Sequence, residues 1–371
     1  MQERKIPFFN YPALFAERRE AFLSEIERVL TSGYYIMGPE LEEFEWRLAD
    51  YLNVKHVIGV ADGTMALMCG GKAAGLKPGD EVLVSAHTFV ASAAAVHHCG
   101  AIPVPVDCGP DHLMTGEAAR AALTPRTRGI MPVQLNGRTT DMDPIMEIVN
   151  EHNLILVEDS CQALGSSFNG KLAGTFGEAG AFSFYPSKTL GCFGDGGAVC
   201  TDDDEIAERI RLLRDHGRTS DGDVASFGYN ARLDNVHAAV LLLKLRTYDD
   251  DIAKRRSLAG IYESHLADLR EVSLPPGPNA DPRHFDVYQN YEIDAERRDE
   301  LRDHLTGKGI GTLLQWGGRT LNQLSVLDHS APLPHNDAMT TTYLMLPMNT
   351  SLSDADVEYV CDSIREFYDR H

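Results

Sequence analysis

The sequence predicts an α/β protein whose largely parallel sheet is followed by a smaller α+β domain. Up to about residue 250, short apolar runs typical of buried strands alternate with helical patterns. Because neighbouring parallel strands need a long crossover connection, usually a helix, this alternation is typical of βαβ units. Beyond residue 250 the pattern changes to a long polar helix, a stretch rich in proline and glycine, and one alternating strand.

Each predicted strand of the large sheet is a short apolar run. The runs lie at 57–60, 82–84, 130–133, 154–157 and 198–200. The helices are recognised by apolar residues spaced three or four apart, which fall on one helical face. Three such faces are Leu41, Phe44, Leu48 and Tyr51; Met142, Ile145 and Val149; and Ile206, Ile210 and Leu213.

The remainder of the chain predicts a second unit. A polar helix is expected at about 251–268 and a strand at 287–293. Ser353, with Asp356 three residues later, marks the start of a last helix. The apolar stripe of this helix is Val357, Val360, Ile364 and Phe367. The predicted division is an N-terminal arm at 1–36, a large domain at 37–250 and a small C-terminal domain at 251–371.

Charge and composition argue against several classes of function. The 371 residues include 34 Lys and Arg against 55 Asp and Glu, a net charge of −21 without any basic run. Such a chain is not expected to bind nucleic acid or an anionic membrane. No apolar run approaches the roughly 18 residues of a membrane span, and the charged N-terminus leads into no signal-peptide core. The seven cysteines form no C-x-x-C pair, so we expect reduced thiols in the cytoplasm and no metal site.

The first candidate site is a carboxylate at the end of a strand. Glu158 and Asp159 directly follow the apolar run 154–157. Ligands gather beyond the carboxyl ends of parallel strands, so Asp159 is placed to face a site. The alternative is that Asp159 only caps the next helix, and the spacing alone does not decide between the two.

The second candidate is Lys188, which follows the strand-like run 181–184. The segment 191–197 behind it holds four glycines in seven residues, which lets a backbone approach a ligand closely or adopt positive φ. Apolar surroundings disfavour the ammonium form of a lysine and so favour a nucleophilic amine. The alternative is a surface lysine beside a flexible loop.

The third candidate is a turn of small residues, Asp62-Gly63-Thr64, between a strand and a helical pattern. Such a turn at a helix N-terminus presents free N–H groups to a phosphate, although a plain capping turn explains it equally well. The three segments together match pyridoxal 5'-phosphate (PLP). Its aldehyde binds a lysine, its ring nitrogen pairs with a carboxylate and its phosphate needs N–H donors. The sequence therefore predicts a PLP site.

Further motifs follow in a fixed order along the chain. They are GYYIMGPE at 33–40, KPGDEV at 77–82, AHTFVA at 86–91, TPRT at 124–127, Glu158-Asp159 with Gln162, SFYPSK at 183–188 and GYNARLD at 228–234. Over nearly its whole length the chain thus resembles the DegT/StrS-type sugar aminotransferases, a PLP-dependent family with the aspartate-aminotransferase (fold type I) architecture. The resemblance implies a large PLP-binding domain with a mixed, mostly parallel sheet flanked by helices.

The resemblance also implies roles for individual residues. Lys188 matches the Schiff-base lysine and Asp159 the partner of the pyridinium nitrogen. The other matched cofactor contacts are Gln162 at the ring hydroxyl, Phe89 stacked on the ring, and Gly63, Thr64 and Ser183 at the phosphate. Asn230 matches a residue that reaches the phosphate of the partner subunit's cofactor, which implies a homodimer with shared sites. Arg232, in the same block, is a candidate contact for that anion or for substrate.

The implied reaction moves an amino group from L-glutamate to a keto sugar linked to a nucleotide, in amino-sugar or antibiotic-sugar biosynthesis. The motifs most resemble those of enzymes acting on 3-keto sugars, either UDP-linked glucuronate derivatives or deoxysugars. Two segments depart from the family. QWGG at 315–318 stands where His-Tyr-Pro is usual, and VQLNG at 133–137 where Val-His/Ser-Leu-Tyr-Gly is usual. Gln315 and Trp316 are therefore candidate substrate contacts, with a core tryptophan as the alternative.

Other functions remain open within this resemblance. One is amination at the 4-keto position or of another keto sugar. A second is a PLP-dependent sugar dehydratase, which carries His in place of the lysine and which Lys188 argues against. A third is a PLP-binding regulatory protein without turnover. Conversion of bound pyridoxal to pyridoxamine by glutamate distinguishes an enzyme from such a sensor.

Overall fold

The computed structural model describes residues 4–327 and 331–369. The strands are β1 (His56–Val60), β2 (Glu81–Ser85), β3 (Ile102–Val106), β4 (Thr127–Met131), β5 (Ile155–Asp159), β6 (Ser167–Phe168), β7 (Lys171–Leu172), β8 (Ala179–Ser183), β9 (Gly197–Thr201), β10 (Val272–Ser273), β11 (His284–Phe285), β12 (Tyr291–Ala295) and β13 (Tyr343–Leu346). The α-helices are α1 (Tyr11–Glu17), α2 (Arg19–Ser32), α3 (Pro39–Leu52), α4 (Gly63–Ala74), α5 (Val90–His98), α6 (Gly116–Ala121), α7 (Met142–His152), α8 (Asp204–Arg214), α9 (Asn235–Leu245), α10 (Tyr248–Leu266), α11 (Arg298–Gly307), α12 (Pro334–Met339) and α13 (Asp354–Asp369). Short 3₁₀ turns lie at Leu135–Gly137, Gln315–Gly317 and Leu321–Gln323.

A seven-stranded sheet in the order β1-β9-β8-β5-β4-β2-β3 forms the centre of the molecule. The pairs from β8 to β3 are parallel, whereas β9 runs antiparallel to both of its neighbours. This is the mixed, mostly parallel sheet that the sequence predicts. The carboxyl ends of β1, β2, β4, β5 and β8 consequently open at one edge.

Helices cover both faces of this sheet. Val82 and Val84 of β2 belong to a core with α4, α5 and α8, while Leu83 between them belongs to a core with α7. Likewise, Val57 of β1 packs on the side of α3 and α9. Because successive side chains of a strand point to opposite faces, a strand buried on both faces must be apolar throughout. Burial of the strands on both faces therefore explains the apolar runs in the sequence.

The predicted strands correspond to β1, β2, β4, β5 and β9, and the strand-like run before Lys188 corresponds to β8. β3 was not predicted, because its sequence Ile-Pro-Val-Pro-Val places Pro103 and Pro105 in a strand. β3 is the edge strand of the sheet, where a proline can sit with its missing N–H away from the neighbouring strand.

The C-terminal part builds a second core around a three-stranded antiparallel sheet, β10-β12-β13. Helices α10, α11 and α13 pack on it. The predicted start of α13 is confirmed, since Ser353 Oγ accepts from Asp356 N–H (3.2 Å) and Asp356 Oδ2 accepts from Ser353 N–H (3.0 Å).

The strand predicted at 287–293 was placed too early, because β12 begins at Tyr291. The residues before it bind the large sheet's loops instead. Val287 N donates to Gly137 O (2.8 Å), and Tyr288 adopts φ +49°. A strand cannot continue through such a conformation, so the alternating pattern here reflects packing against a loop.

The predicted division at 36 and 250 stays a prediction. Helix α10 runs through residue 250 without a break. The C-terminal core consists of residues from Leu258 onward together with Ile6, which pairs with Ile310. None of the helices in the described ranges is both long and apolar enough to cross a bilayer.

Substitution of one glycine in β8 and one in α10 tests the packing of these two elements. A Cβ at Gly180 in β8 would overlap the carbonyl O of Gly174, whereas a Cβ at Gly260 in α10 meets nothing within 4 Å. We expect Gly180→Ala to lower the free energy of unfolding by about 1–3 kcal/mol, since backbone must move. Gly260→Ala should raise it by about 0.4–1 kcal/mol, since alanine favours a helix. Urea unfolding measures both, and equal midpoints for the two variants would contradict the packing of β8.

Candidate active site

A cavity of about 530 Å³ lies where the carboxyl ends of the parallel strands meet the C-terminal part. Its walls come from the segments after β1, β2, β4, β5 and β8, and from residues around 313–316. This volume is typical of cofactor and small-molecule sites. All predicted site residues line the cavity, with the exception of Asn230 and Arg232: Gly63, Thr64, Phe89, Asp159, Gln162, Ser183, Lys188, Gln315 and Trp316.

Asp159 ends β5 and its buried carboxylate is held by two neutral donors. Ser92 Oγ donates to Oδ2 (2.7 Å), and Cys161 N–H donates to Oδ1 (3.2 Å). No ion pair with Asp159 occurs within 4 Å among the described residues. A buried carboxylate is stable only when paired or fully hydrogen-bonded. The protonated ring nitrogen of a PLP molecule would supply the missing positive partner, so the residue fits that cofactor.

Ser92 is a site residue that sequence reasoning missed. It lies on α5, and its hydroxyl also meets Thr88 Oγ1 (2.8 Å). The available signal was weak: Ser92 is the one hydroxyl in the otherwise apolar stretch Val90–Val96. Its contact with Asp159 joins residues 67 positions apart, which no local pattern predicts.

Lys188 lies in a tight turn after β8, with its own N–H bonded to Tyr185 O (2.8 Å). Gln289 fixes this turn from the C-terminal part, because its amide accepts from Thr189 N–H (2.7 Å) and donates to Ser187 O (2.8 Å). Burial lowers the pKa of Lys188, although the nearby Cys161 and Asp159 raise it in part. The environment thus favours the neutral, nucleophilic amine.

The glycines after Lys188 permit close backbone contacts, and none of the four adopts positive φ. A Cβ at Gly191 would lie 2.6 Å from Tyr185 O, which would open the lysine turn. A Cβ at Gly197 would overlap the carbonyl group of Asp62. Gly191 therefore lets the lysine turn close on itself, and Gly197 lets β9 lie against the start of α4.

The start of α4 offers an anion site. Asp62 caps the helix by accepting from Met65 N–H (2.8 Å), and the first N–H groups of a helix have no acceptor within it. A Cβ at Gly63 would lie 2.8 Å from Ser183 Cβ, so only glycine brings the Ser183 hydroxyl this close to the helix end. N–H groups, a hydroxyl and the helix dipole suit a phosphate.

Amide side chains connect Gln162 to Gln315 through Asn136. Gln162 Oε1 accepts from the N–H of Asn136 (2.9 Å) and from Asn290 Nδ2 (3.2 Å). Gln315 Nε2 donates to Asn136 Oδ1 (2.7 Å) and to Glu292 Oε2 (2.9 Å). Both N–H bonds of Gln315 are therefore engaged within the protein, and Gln315 lines the cavity without a free donor.

The remaining predicted residues are placed as follows. Trp316 lines the cavity and its ring packs on His87, with ring centroids 5.1 Å apart. Phe89 is 52% exposed at the cavity wall. Arg232 lies outside the cavity lining, where its Nη1 binds Asp215 Oδ1 (3.1 Å), and Asn230 pairs with Asp215 along the backbone.

Comparisons with known proteins agree with this geometry. The model of the DegT/DnrJ/EryC1/StrS aminotransferase family matches residues 16–365. A dTDP-3-amino-3,4,6-trideoxy-alpha-D-glucose transaminase of Streptomyces venezuelae is 40% identical, over 99% of this chain and 97% of its own length. A UDP-2-acetamido-2-deoxy-3-oxo-D-glucuronate aminotransferase of Pseudomonas aeruginosa is 37% identical, over 97% and 99%. The crystal structure of DesV from S. venezuelae superposes with a TM-score of 0.93 at 40% identity and covers 98% of both chains.

The lowered pKa of Lys188 gives a test that needs no cofactor. At a given pH a larger fraction of its amine should be neutral than in a solvent-exposed lysine, for which the reference pKa is about 10.4. The exposed Lys77 serves as the comparison. In cofactor-free protein we expect Lys188 to acetylate with a midpoint below that of Lys77. Competitive labelling with acetic anhydride between about pH 7 and 11, read by peptide mass spectrometry, measures both midpoints. A Lys188 midpoint at or above that of Lys77 would contradict the described burial.

Proposed function

Because the chain belongs to the DegT/DnrJ/EryC1/StrS aminotransferase family, we propose that it transfers an amino group from L-glutamate to a nucleotide-linked 3-keto sugar. PLP is the cofactor of this family. The observation that carries the proposal is one cavity that unites Lys188, the carboxylate of Asp159 and the start of α4. The two relatives described above are both named for amino groups or oxo groups at position 3 of a sugar, which favours the 3-keto position.

In this proposal each part of the cofactor is bound by a different group of the chain. The start of α4 with Ser183 would hold the phosphate, Phe89 would cover the ring and Gln162 would meet the ring hydroxyl. Asp159, oriented by Ser92, would keep the ring nitrogen protonated. When bound, PLP supplies an electron sink for the carbon that loses a proton.

Lys188 would carry out two steps. Its Nζ would attach the cofactor covalently and leave when glutamate takes its place. The released amine would then be the base nearest to the α-carbon of glutamate, from which it removes the proton. In the sugar half-reaction the transfer would run in reverse: Lys188 would deliver a proton to the former keto carbon, which would already carry the cofactor's nitrogen, with the keto oxygen lost as water. The lowered pKa of Lys188 supports this role, since a base must be neutral before it can accept a proton.

The charges of the cavity favour a sugar without a carboxylate. Among the described lining residues, the ionisable groups are Lys188 and the carboxylates of Asp62, Asp159 and Asp195, besides the weakly acidic Cys161 and Tyr185. A uronate ring would find no cation among the described lining residues apart from Lys188. The walls near Trp316 are apolar, with Val133, Leu135, Leu313 and Met345. Of the two sugar classes that the sequence left open, these walls fit a deoxysugar better.

A homodimer with shared sites is part of the proposal. Asn230 does not line the cavity of its own chain, so a cofactor contact by Asn230 requires a second copy. An apolar patch of Tyr34, Tyr35, Ile36 and Met37 is exposed beside the segment that carries Asn230. Apolar patches of this kind are typical of subunit interfaces. The seven unpaired cysteines support the cytoplasm as the compartment.

Turnover with a set of keto sugars tests the activity. The holoenzyme, incubated with L-glutamate and with dTDP- or UDP-linked 3-keto and 4-keto sugars, should form an amino sugar detectable by mass spectrometry. We expect the 3-keto deoxysugar to be converted faster than the 3-keto glucuronate. Cofactor conversion by glutamate without amination of any of these sugars would refute the proposed substrate class, and no conversion at all would favour a regulatory protein.

Covalent attachment of the cofactor should be confined to Lys188. Borohydride reduction of the holoenzyme followed by peptide mapping should find the pyridoxyl group on Lys188 alone. Lys188→Ala should bind PLP only reversibly and lose turnover, because Lys188 is the only lysine among the described residues that line the cavity. The exposed Lys171 provides the control, and Lys171→Ala should keep both label and turnover. A label on another lysine in the wild-type protein excludes the assigned role.

Subunit mixing tests the shared site. Lys188→Ala and Asn230→Ala should each be inactive as homodimers. Equal mixing makes about half of the dimers mixed, each with one complete site, so about a quarter of the wild-type activity should return. Subunit exchange is verified with differently tagged chains. Exchange without recovered activity would mean that each site is built from one chain.

A further inference from the structure

A buried carboxylate lies behind the cavity and touches several of its walls. Glu292 belongs to β12 of the C-terminal part and is 4% exposed. Its Oε1 lies 3.1 Å from His87 Nε2, 2.6 Å from His112 Nδ1 and 3.2 Å from Asn136 Nδ2. Its Oε2 accepts from Gln315 Nε2 (2.9 Å). Four side chains from separate segments thus converge on one carboxylate.

Three of these contacts lead directly to residues that line the cavity. His87 precedes Thr88 and Phe89 in the chain. Asn136 donates its backbone N–H to Gln162 (2.9 Å), and Gln315 precedes Trp316. The ring-stacking residue, the residue for the ring hydroxyl and the substrate wall therefore share one anchor. Glu292 itself does not line the cavity.

The charges around Glu292 keep this anchor ionised. His112 uses both ring nitrogens, since its Nε2 also binds Asp294 Oδ2 (2.9 Å), and two carboxylates can be served only by the doubly protonated ring. Burial alone would lower the pKa of His112, but Asp294 and Glu292 raise it to about 10. Burial alone would raise the pKa of Glu292, but His87 and His112 hold it well below its usual range.

Two of the connected residues adopt backbone conformations that side chains disfavour. Asn136 has φ +57° and Trp316 has φ +51°. Bulky residues persist in this region only when their surroundings hold them there, and such residues cluster at functional sites. Asn136 is held by the carboxylate of Glu292, and Trp316 follows a residue that is held by it. Asparagine adopts this conformation readily, so the strain lies at Trp316 and indicates that its position is specified from outside the cavity.

We propose that Glu292 is a positioning residue that aligns Gln162 and the Gln315–Trp316 segment with the cofactor, through Asn136 and Gln315. The proposal rests on the proposed function, since it takes the cavity to be a PLP site. Because Gln162 faces the cofactor in both half-reactions, loss of the anchor should impair both. A direct sugar contact would impair only the second half-reaction.

A metal ion is the competing occupant of this cluster. Ligand atoms of His87, His112 and Glu292 lie within 4.8 Å of one another. Each histidine, however, already has a ring nitrogen at hydrogen-bond distance from Glu292 Oε1. At these distances the two ring nitrogens contact the carboxylate oxygen directly and leave no space for an ion between them. Metal content is therefore included in the test.

Glu292→Gln removes the charge with little change in shape, and Asp294→Asn is the matched control. Asp294 lies on the same strand and binds the same His112, but it contacts neither Asn136 nor Gln315. Gln315→Met serves as a second variant that cuts the connection and leaves both histidine contacts in place, should Glu292→Gln fail to fold. The measurements are the dissociation constant for pyridoxamine phosphate, the circular dichroism of the bound cofactor, the rate of each half-reaction and the zinc content.

Glu292→Gln and Gln315→Met should each weaken pyridoxamine phosphate binding roughly two- to twelvefold, the ratio that one lost hydrogen bond produces. They should also reduce the circular dichroism of the cofactor and slow both half-reactions, while Asp294→Asn behaves like wild type. A fall in thermal stability alone, an equal effect of Asp294→Asn, or stoichiometric zinc in the wild-type protein overturns the proposal. If the wild type binds cofactor but aminates no keto sugar, the proposed function fails while the binding constants still decide the role of Glu292.

Discussion

Parallel pairing of β5 with β8 is the constraint on which the site depends. In this register Asp159 lies opposite Ala181, so the end of β5 and the turn after β8 emerge at the same edge of the sheet. β9 then returns antiparallel between β8 and β1, which brings Gly197 against the turn that starts α4. The groups suited to the aldehyde, the ring nitrogen and the phosphate of one PLP molecule meet for this reason, although they are distant in sequence.

The alternation of side chains along β5 explains why the adjacent carboxylates of Glu158 and Asp159 have different roles. Because side chains alternate along a strand, Glu158 faces away from the cavity that Asp159 faces. Glu158 is fully buried and accepts from Gln134 Nε2 (2.8 Å) and from the N–H groups of Gly174 (2.8 Å) and Phe176 (2.6 Å). Burial raises the pKa of Glu158, and these donors lower it in part. Glu158 thus fastens the loop before β8, whereas Asp159 keeps one side open for a cationic partner.

Local sequence patterns predicted the elements that depend only on the properties of neighbouring residues. A strand buried on both faces must be apolar, so β1, β2, β4, β5 and β9 were visible as apolar runs. Alternation failed for the segment before β12, because its polar side chains, including Gln289, bind the lysine turn instead of forming a strand. β3 was not predicted, because its prolines are tolerated only in a strand at the edge of a sheet. The position of a strand within the sheet depends on the whole fold.

The residues of the site fall into the same two groups, those that local sequence predicts and those that only distant contacts specify. Asp159 ends a strand, and Gly63 and Lys188 each lie in the short segment after one. Strand ends can be recognised from the sequence, and the structure brings these predicted residues together. Contacts such as Ser92 with Asp159 or His87 with Glu292 span 67 and 205 positions, and no spacing rule reveals them. The cavity wall at 315–316 depends on contacts of this second kind, since Gln315 binds Asn136 and Glu292 and Trp316 packs on His87. A substitution there must satisfy buried amides and carboxylates from several segments at once, whereas the strand-end residues need only keep their place on the sheet.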